Sequence, residues 1–327
     1  MASYSNRNNV WQVRIRVKGQ PTLTKSFDTH KEAQRWATVT ESQICRNEFV
    51  DTKSASLTSL GDLIQRYMLE VTPLMKSATT DLIKLAAIRR AAISQRKLTN
   101  LTPQIVAAHR DERLSEVANG TVIRELAYLS AIINHGRREW GVNINNPVLM
   151  VRKPISPQGR QRILNVHEQE AVLVALEPMG RRNKYMHPLV SLALETAMRR
   201  GELLSLKWEN INKTDQTALL ENTKNGDRRT VPLSTKALRI LQSISSTGTG
   251  AVFPISAGNV FARFKYAVKK VGLKDVRFHD LRHTAITQMS TKLPNVIELS
   301  SVTGHRNLAM LKRYYHPDAK VLARKLG

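Results

Sequence analysis

Residues 277–285 read R-F-H-D-L-R-H-T-A, and residues 195–208 read E-T-A-M-R-R-G-E-L-L-S-L-K-W. In the first stretch His279 and Arg282 stand three positions apart, which on a helix places both side chains on one face. The second predicts an amphipathic helix that packs Leu203, Leu204 and Leu206 inward and carries Arg199 and Arg200 near its start. Two further fragments follow in order: V-T-G-H-R-N at 302–307, where Gly304 ends or turns the chain before His305, and L-K-R-Y-Y-H-P at 311–317. Singly each is a weak signal. In isolation Arg199 and Arg200 read as two surface arginines, and histidine beside arginine is frequent in basic proteins.

The charge balance narrows the partner. The 327 residues carry 51 Lys and Arg against 26 Asp and Glu, a formal net charge of +25. The excess is +4 over residues 1–56, +4 over 57–150 and +17 over 151–327. A solvated basic face accounts for a small excess, but +17 concentrated in one segment points to a polyanion. Nucleic acid is favoured over a membrane surface, because no apolar run approaches the roughly 20 residues that span a bilayer. Apolar residues make up 41% of the chain, enough for a packed core. Met1 to Asn9 is polar and has no apolar signal region, so the expected location is the cytoplasm. Cys45 is the only cysteine, which excludes an internal disulfide and a zinc site built on paired cysteines.

Patterning divides the chain into segments. Val10–Lys18 alternates Val13, Ile15 and Val17 with Arg14, Arg16 and Lys18, as in a strand with one buried and one cationic face. Gly19 to Pro21 forms a turn, Thr22–Phe27 a second strand, and Thr29 caps a helix beginning near Lys31. Such a basic strand face is usually only a solvated surface, although a β-ribbon of this kind also fits a DNA groove. The polar stretch 51–59 reads as a linker. Helical spacing follows at Leu60–Met68, Ser77–Ile93, Thr102–Arg113 and Asn119–Trp140. In the last, Val122, Leu126, Leu129, Ile132 and Ile133 form an apolar stripe with Arg124 off it. The basic, proline-stiffened run from Arg152 and Lys153 to Leu164 is a second linker. Beyond it, helices alternate with a hairpin at 217–220 and 227–232, turned at Asn225 and Gly226. The fold class expected is mainly α with small β elements, divided at 1–56, 57–150, a linker at 151–163, and 164–327.

The residue types state a chemistry. A phosphodiester is a poor electrophile, and attack by oxygen adds charge to its nonbridging oxygens. Two guanidiniums meet that charge with planar forks that stay protonated, and Arg199 and Arg282 are the candidates. His305 is placed to add a hydrogen bond. A tyrosine hydroxyl has a pKa near 10 and needs a base or nearby cations to attack, so His279 is the candidate base. Tyr314 and Tyr315 both remain possible nucleophiles on this ground alone. No clustered carboxylates suggest a two-metal site, and no phosphate-cradling G-x-x-x-x-G-K-[ST] loop suggests ATP use, so neither metal nor cofactor is expected.

Taken together, Arg199, Lys224 in T-K-N-G, His279 and Arg282 in H-D-L-R-H, His305 in T-G-H-R, and Tyr314 in R-Y-Y-H resemble the signature of the tyrosine recombinases, the phage integrase family. The motifs cover 160–316. Residues 57–150 resemble that family's helical core-binding domain, 1–56 its arm-type DNA-binding domain, and the run from Thr121 to R-Y-Y-H is similar to shufflon-type DNA invertases. The resemblance implies cleavage and rejoining of DNA through a 3′-phosphotyrosyl bond, with Lys224 as general acid. It favours Tyr314 over Tyr315 because the pattern is Tyr, one residue, then His, and Arg199 over Arg200 because the arginine follows a small and apolar pair, here Ala197 and Met198. The family more often has glycine at the position of Ala197. The resemblance also implies a homo-tetramer on double-stranded DNA, accessory DNA-bending proteins, and a tail, with Val321, Leu322 and Leu326, that docks on a neighbouring protomer, where the plainer reading folds it back on its own domain. Integration, excision and inversion stay open. So do a catalytically silent DNA-binding relative and a relaxing topoisomerase of the same chemistry.

Overall fold

The computed structural model describes residues 2–17, 22–45, 53–178, 184–221, 228–244, 248–315, 323–324 and 326–327. The chain divides into two compact units, Met1–Gln158 and Gly159–Gly327. Among the described residues, no helix is long and apolar enough to cross a membrane.

The first unit opens with an antiparallel sheet of β1 (Ala2–Arg7), β2 (Val10–Ile15) and β3 (Leu23–Phe27), with β2 in the middle. The alternation in β2 behaves as its sequence requires. Val13 and Ile15 are buried with Ala33 and Ala37 of α1 (His30–Cys45), while Arg14 and Arg16 are exposed. Thr29 Oγ1 accepts the Glu32 amide at 3.3 Å and starts that helix. β1 was not anticipated, because its A-S-Y-S-N-R sequence has almost no apolar alternation. Its signal lies in the turn: Asn8 and Asn9 both have positive φ, 51° and 61°, as a two-residue hairpin turn demands. Lys18 and the turn at 19–21 lie outside the described residues.

The expected linker at 51–59 is corrected. Lys53–Leu57 is a short helix, α2, and Ala55 is buried in the helical core that follows. Ser59 then caps α3 (Leu60–Glu70) in a reciprocal box with Asp62. Helices α4 (Ala78–Arg90), α5 (Pro103–Glu116) and α6 (Asn119–Glu139) complete this core, into which α6 buries its whole apolar stripe. Arg124 is exposed, its Nε donating to Gly120 O at 2.9 Å. Arg152 and Lys153 are exposed in a run without helix or strand.

The second unit is built on α8 (Met186–Thr196), whose sequence M-H-P-L-V-S-L-A-L-E-T is apolar nearly all round and is correspondingly buried. Around it pack α7 (Val166–Ala175), α10 (Thr235–Gln242), α11 (Ala257–Lys270) and α12 (Phe278–Lys292). The single helix expected over 195–208 is instead broken. α8 stops at Thr196, Ala197 takes a left-handed conformation at φ 52°, and a separate helix, α9 (Arg200–Leu204), follows. Leu203 and Leu206 are buried, whereas Leu204 is half-buried. A small antiparallel sheet follows, β4 (Ile211–Asn212), β5 (Thr217–Leu220) and β6 (Arg229–Pro232), with Ala218 opposite Val231. Its third strand, β4, is too short for a periodic signal. The hairpin turn, including Lys224, Asn225 and Gly226, lies outside the described residues. α13 (Val296–Thr303) ends on Gly304 at φ 68°, a left-handed helix cap.

Candidate active site

The break after α8 creates the site. Arg199 sits at the amino end of α9, where its amide donates to Glu202 Oε2 at 2.8 Å and its Nη1 to Glu202 Oε1 at 2.7 Å. The buried Glu202 thus fixes both the backbone and the guanidinium of Arg199, while the exposed Arg200 points elsewhere. Arg282, one turn into α12, is only 4% exposed. It donates to Ala197 O at 2.5 Å and to Thr303 O at 2.6 Å, tying the α8–α9 break to the end of α13. Burial, with Arg199 and Arg229 nearby, pushes its pKa down to about 9, so it remains cationic at neutral pH. Ala197 takes a conformation that favours glycine, and its methyl group is buried in a cluster with Ala285, Ile286, Leu299, Leu311 and Tyr314.

His305 follows the turn at Gly304. The Thr303 hydroxyl donates to Leu299 O at 2.7 Å, so its contact of 2.7 Å with His305 Nδ1 is a bond it accepts. That assigns the ring proton to Nδ1. Burial, then repulsion from Arg282, Arg199 and Arg229, pushes His305 down to about 4. The imidazole is therefore neutral at rest.

Tyr314 lies in a short turn, Lys312–Tyr314, and is buried, with its carbonyl accepting Ser290 Oγ at 3.0 Å. Its hydroxyl meets Nδ1 of His283, and the two rings stack with centroids 6.0 Å apart. Burial raises the phenol, opposed by Arg313 and Arg282. Burial first, then His279, pushes His283 down to about 4. A neutral imidazole nitrogen therefore accepts from a protonated phenol. Tyr315 faces the other way and donates to Leu293 O at 2.7 Å.

Four of the six residues expected in the catalytic set, Arg199, Arg282, His305 and Tyr314, fall in this one region of the second unit. His279 is exposed in the first turn of α12, edge-on to His283 with centroids 5.1 Å apart. The residue at the tyrosine hydroxyl is His283, which the sequence reading passed over although it stands in the same H-D-L-R-H motif. Also missed were Glu202, legible as an acidic residue three after Arg199, and Asp280. The buried Asp280 caps α12 through the Arg277 amide at 2.7 Å and is held by Arg160 at 2.7 and 2.8 Å. Among the described residues, no group of His, Cys, Asp or Glu is arranged to hold a metal ion.

The model of the phage integrase family matches residues 158–320, the stretch that contains this site. The chain is 36% identical to a shufflon-specific DNA recombinase of Escherichia coli, over 82% of this chain and 71% of that protein. Solved structures share the fold. A lambda integrase tetramer bound to a Holliday junction aligns with a TM-score of 0.66 at 20% identity, over 95% of this chain and 97% of that one. The Tn1549 transposon integrase in complex with circular intermediate DNA aligns with a TM-score of 0.64 at 16% identity, over 83% of this chain and 99% of that one. The chain belongs to the phage integrase family of tyrosine recombinases. It is a site-specific DNA recombinase, and DNA is its substrate.

Proposed function

We propose that the enzyme cuts each DNA strand by attack of the Tyr314 hydroxyl on the scissile phosphate, with Arg199, Arg282 and His305 around the phosphate oxygens. The observation that carries this is the hydrogen bond from Tyr314 to the neutral His283, in a region where Arg282 is close enough to favour the phenolate. His283 takes the phenolic proton as the bond from tyrosine oxygen to phosphorus forms. The bond from phosphorus to the 5′ oxygen breaks, and that oxygen leaves as a hydroxyl with a proton from Lys224. The product is a 3′-phosphotyrosyl linkage. Attack by a 5′-hydroxyl from the partner duplex reverses the sequence and reseals the strand, so bond energy is conserved without a nucleotide, metal or other cofactor.

The two arginines act on developing charge more than on substrate binding. His305, with its proton on Nδ1, presents a lone pair at Nε2 and becomes a second donor when a phosphate draws a proton onto it. His279, exposed beside His283, faces the DNA and supports that ring.

Binding is assigned to three segments: Arg14, Arg16 and Lys18 in an arm-type domain at 1–56, Arg124 in a core-binding domain at 57–150, and Arg152 and Lys153 in the linker at 151–163. Residues 164–327 form the catalytic domain. Joining two duplexes takes four cuts, and each chain has one Tyr314, so the working unit is a homo-tetramer on DNA, with accessory bending proteins. The reaction proposed is integration and excision of a phage or mobile element in the host cytoplasm. Inversion is the second reading, favoured by the similarity to the shufflon-specific recombinase. Trapping the wild-type protein on a nicked suicide duplex and mapping the nucleotide-bearing peptide tests the chemistry. A phosphotyrosyl peptide at Tyr314 supports it, and an adduct at Tyr315 or at serine overturns it.

A further inference from the structure

Arg229 begins β6 with its side chain turned inward and 12% exposed. Its Nη2 donates to Glu202 Oε2 at 2.8 Å, the carboxylate oxygen that also accepts the Arg199 amide. Its Nε and Nη1 are buried and, among the described residues, have no hydrogen-bond partner. Leaving such donors unmatched costs stability, and an ion pair with Glu202 needs only one of them. The guanidinium also lies directly against the turn before His305. A Cβ placed on Gly304 would come within 2.0 Å of Arg229 Nη1. Glycine there suits the left-handed backbone, and any side chain in its place would have to displace the guanidinium of Arg229.

We propose that Arg229 is a positioning residue for strand cleavage, holding Glu202, and through it Arg199, against the Gly304–His305 turn while adding a third guanidinium to the phosphate site. The inference rests on the reading of this region as the DNA-cleaving centre. Charge gives the arrangement a purpose. Among the described residues, the guanidiniums of Arg199, Arg229 and Arg282 stand together with the carboxylate of Glu202 and, in the DNA-free protein, a neutral His305. The bound phosphodiester carries one negative charge, and the five-coordinate phosphorane formed by attack carries two. Arg229 adds one fixed positive charge toward the second negative charge that develops on attack.

The test uses full-length Arg229→Met and Arg229→Lys, with single-turnover cleavage of a suicide duplex, gel-shift affinity, and an NMR titration of the His305 imidazole in DNA-free protein. Arg229→Met is expected to cleave roughly 100-fold more slowly, the scale of a small misplacement at a reacting centre, with affinity near wild type. Arg229→Lys restores the charge without the fork and recovers part of the rate. His305 is faced by Arg282, Arg199, Arg229 and His283, and it is held down chiefly by burial. Removing one of those cations should raise its titration partway towards the ordinary histidine range. Wild-type cleavage by Arg229→Met overturns the proposal. So does an unmoved His305 with equal rate losses in both variants, because Arg229 would then serve the fold alone. Should Arg229→Met fail to fold, Arg229→Lys and its His305 titration decide. If the wild-type protein forms no adduct, the reading of the site as a cleavage centre fails, and the titration still reports whether Arg229 acts on the cluster.

Discussion

Nδ1 of His283 and the hydroxyl of Tyr314 share a hydrogen bond that joins the second turn of α12 to the turn bearing the tyrosine. Because His283 stands one position after the buried Arg282, a single helical segment presents a cation and a proton acceptor to the same phenol. General-base assistance of this kind is worth about 100-fold or more. His283→Ala should slow single-turnover cleavage by that order and leave duplex binding intact. His279→Ala should have the smaller effect. Equal losses in the two variants would show that the proton acceptor is misassigned.

The depressed histidines link stability to pH. His283 and His305 both titrate near 4 in the folded protein, against about 6.5 when unfolded. Between those values the unfolded chain binds more protons than the folded one, so stability is fully present above pH 6.5 and falls as the pH drops towards 4. Urea unfolding of the DNA-free protein across that window should show the loss, and His305→Gln should remove part of it. A flat profile between pH 7 and 4.5 would contradict the neutral-imidazole assignment.

On the proposed reading Arg282 has two duties, meeting the phosphate and bridging Ala197 O and Thr303 O. Arg282→Met should therefore lower stability by roughly 2–4 kcal/mol, because two buried carbonyls lose a charged donor. It should also reduce cleavage by roughly 100 to 1,000-fold, the cost of losing one preorganised donor to an oxyanion. Arg200→Met, exposed on the same helix start as Arg199, should do neither. Thermal unfolding beside single-turnover kinetics separates the two effects, and a variant that is slow yet fully stable would refute the bridging role.

Much of the architecture was legible because it depends on local periodicity. The stripe of α6, the alternation in β2 and the apolar run of α8 each bury the residues their spacing assigns. What escaped depended on backbone conformation or on contacts distant in sequence. The helix read through 195–208 is interrupted because Arg282, 85 positions on, takes up the Ala197 carbonyl and holds that residue left-handed. α2 hid in a polar stretch because, among its described side chains, Ala55 is the one buried. The motifs led to the region of the candidate site, but motif spacing cannot rank His279 against His283. That choice is made by the path of the 308–314 turns, which bring Tyr314 over the second turn of α12 and not the first.

The central claim is that Tyr314 alone carries the nucleophilic oxygen. Tyr315 already spends its hydroxyl on Leu293 O, where Tyr315→Phe loses one partly buried hydrogen bond, worth roughly 1 kcal/mol. The decisive measurement is covalent trapping on a nicked suicide duplex for Tyr314→Phe and Tyr315→Phe, with gel-shift affinity for each. The account requires that Tyr314→Phe bind DNA as the wild type does and form no adduct, while Tyr315→Phe still forms one. An adduct from Tyr314→Phe, with none from Tyr315→Phe, would contradict it.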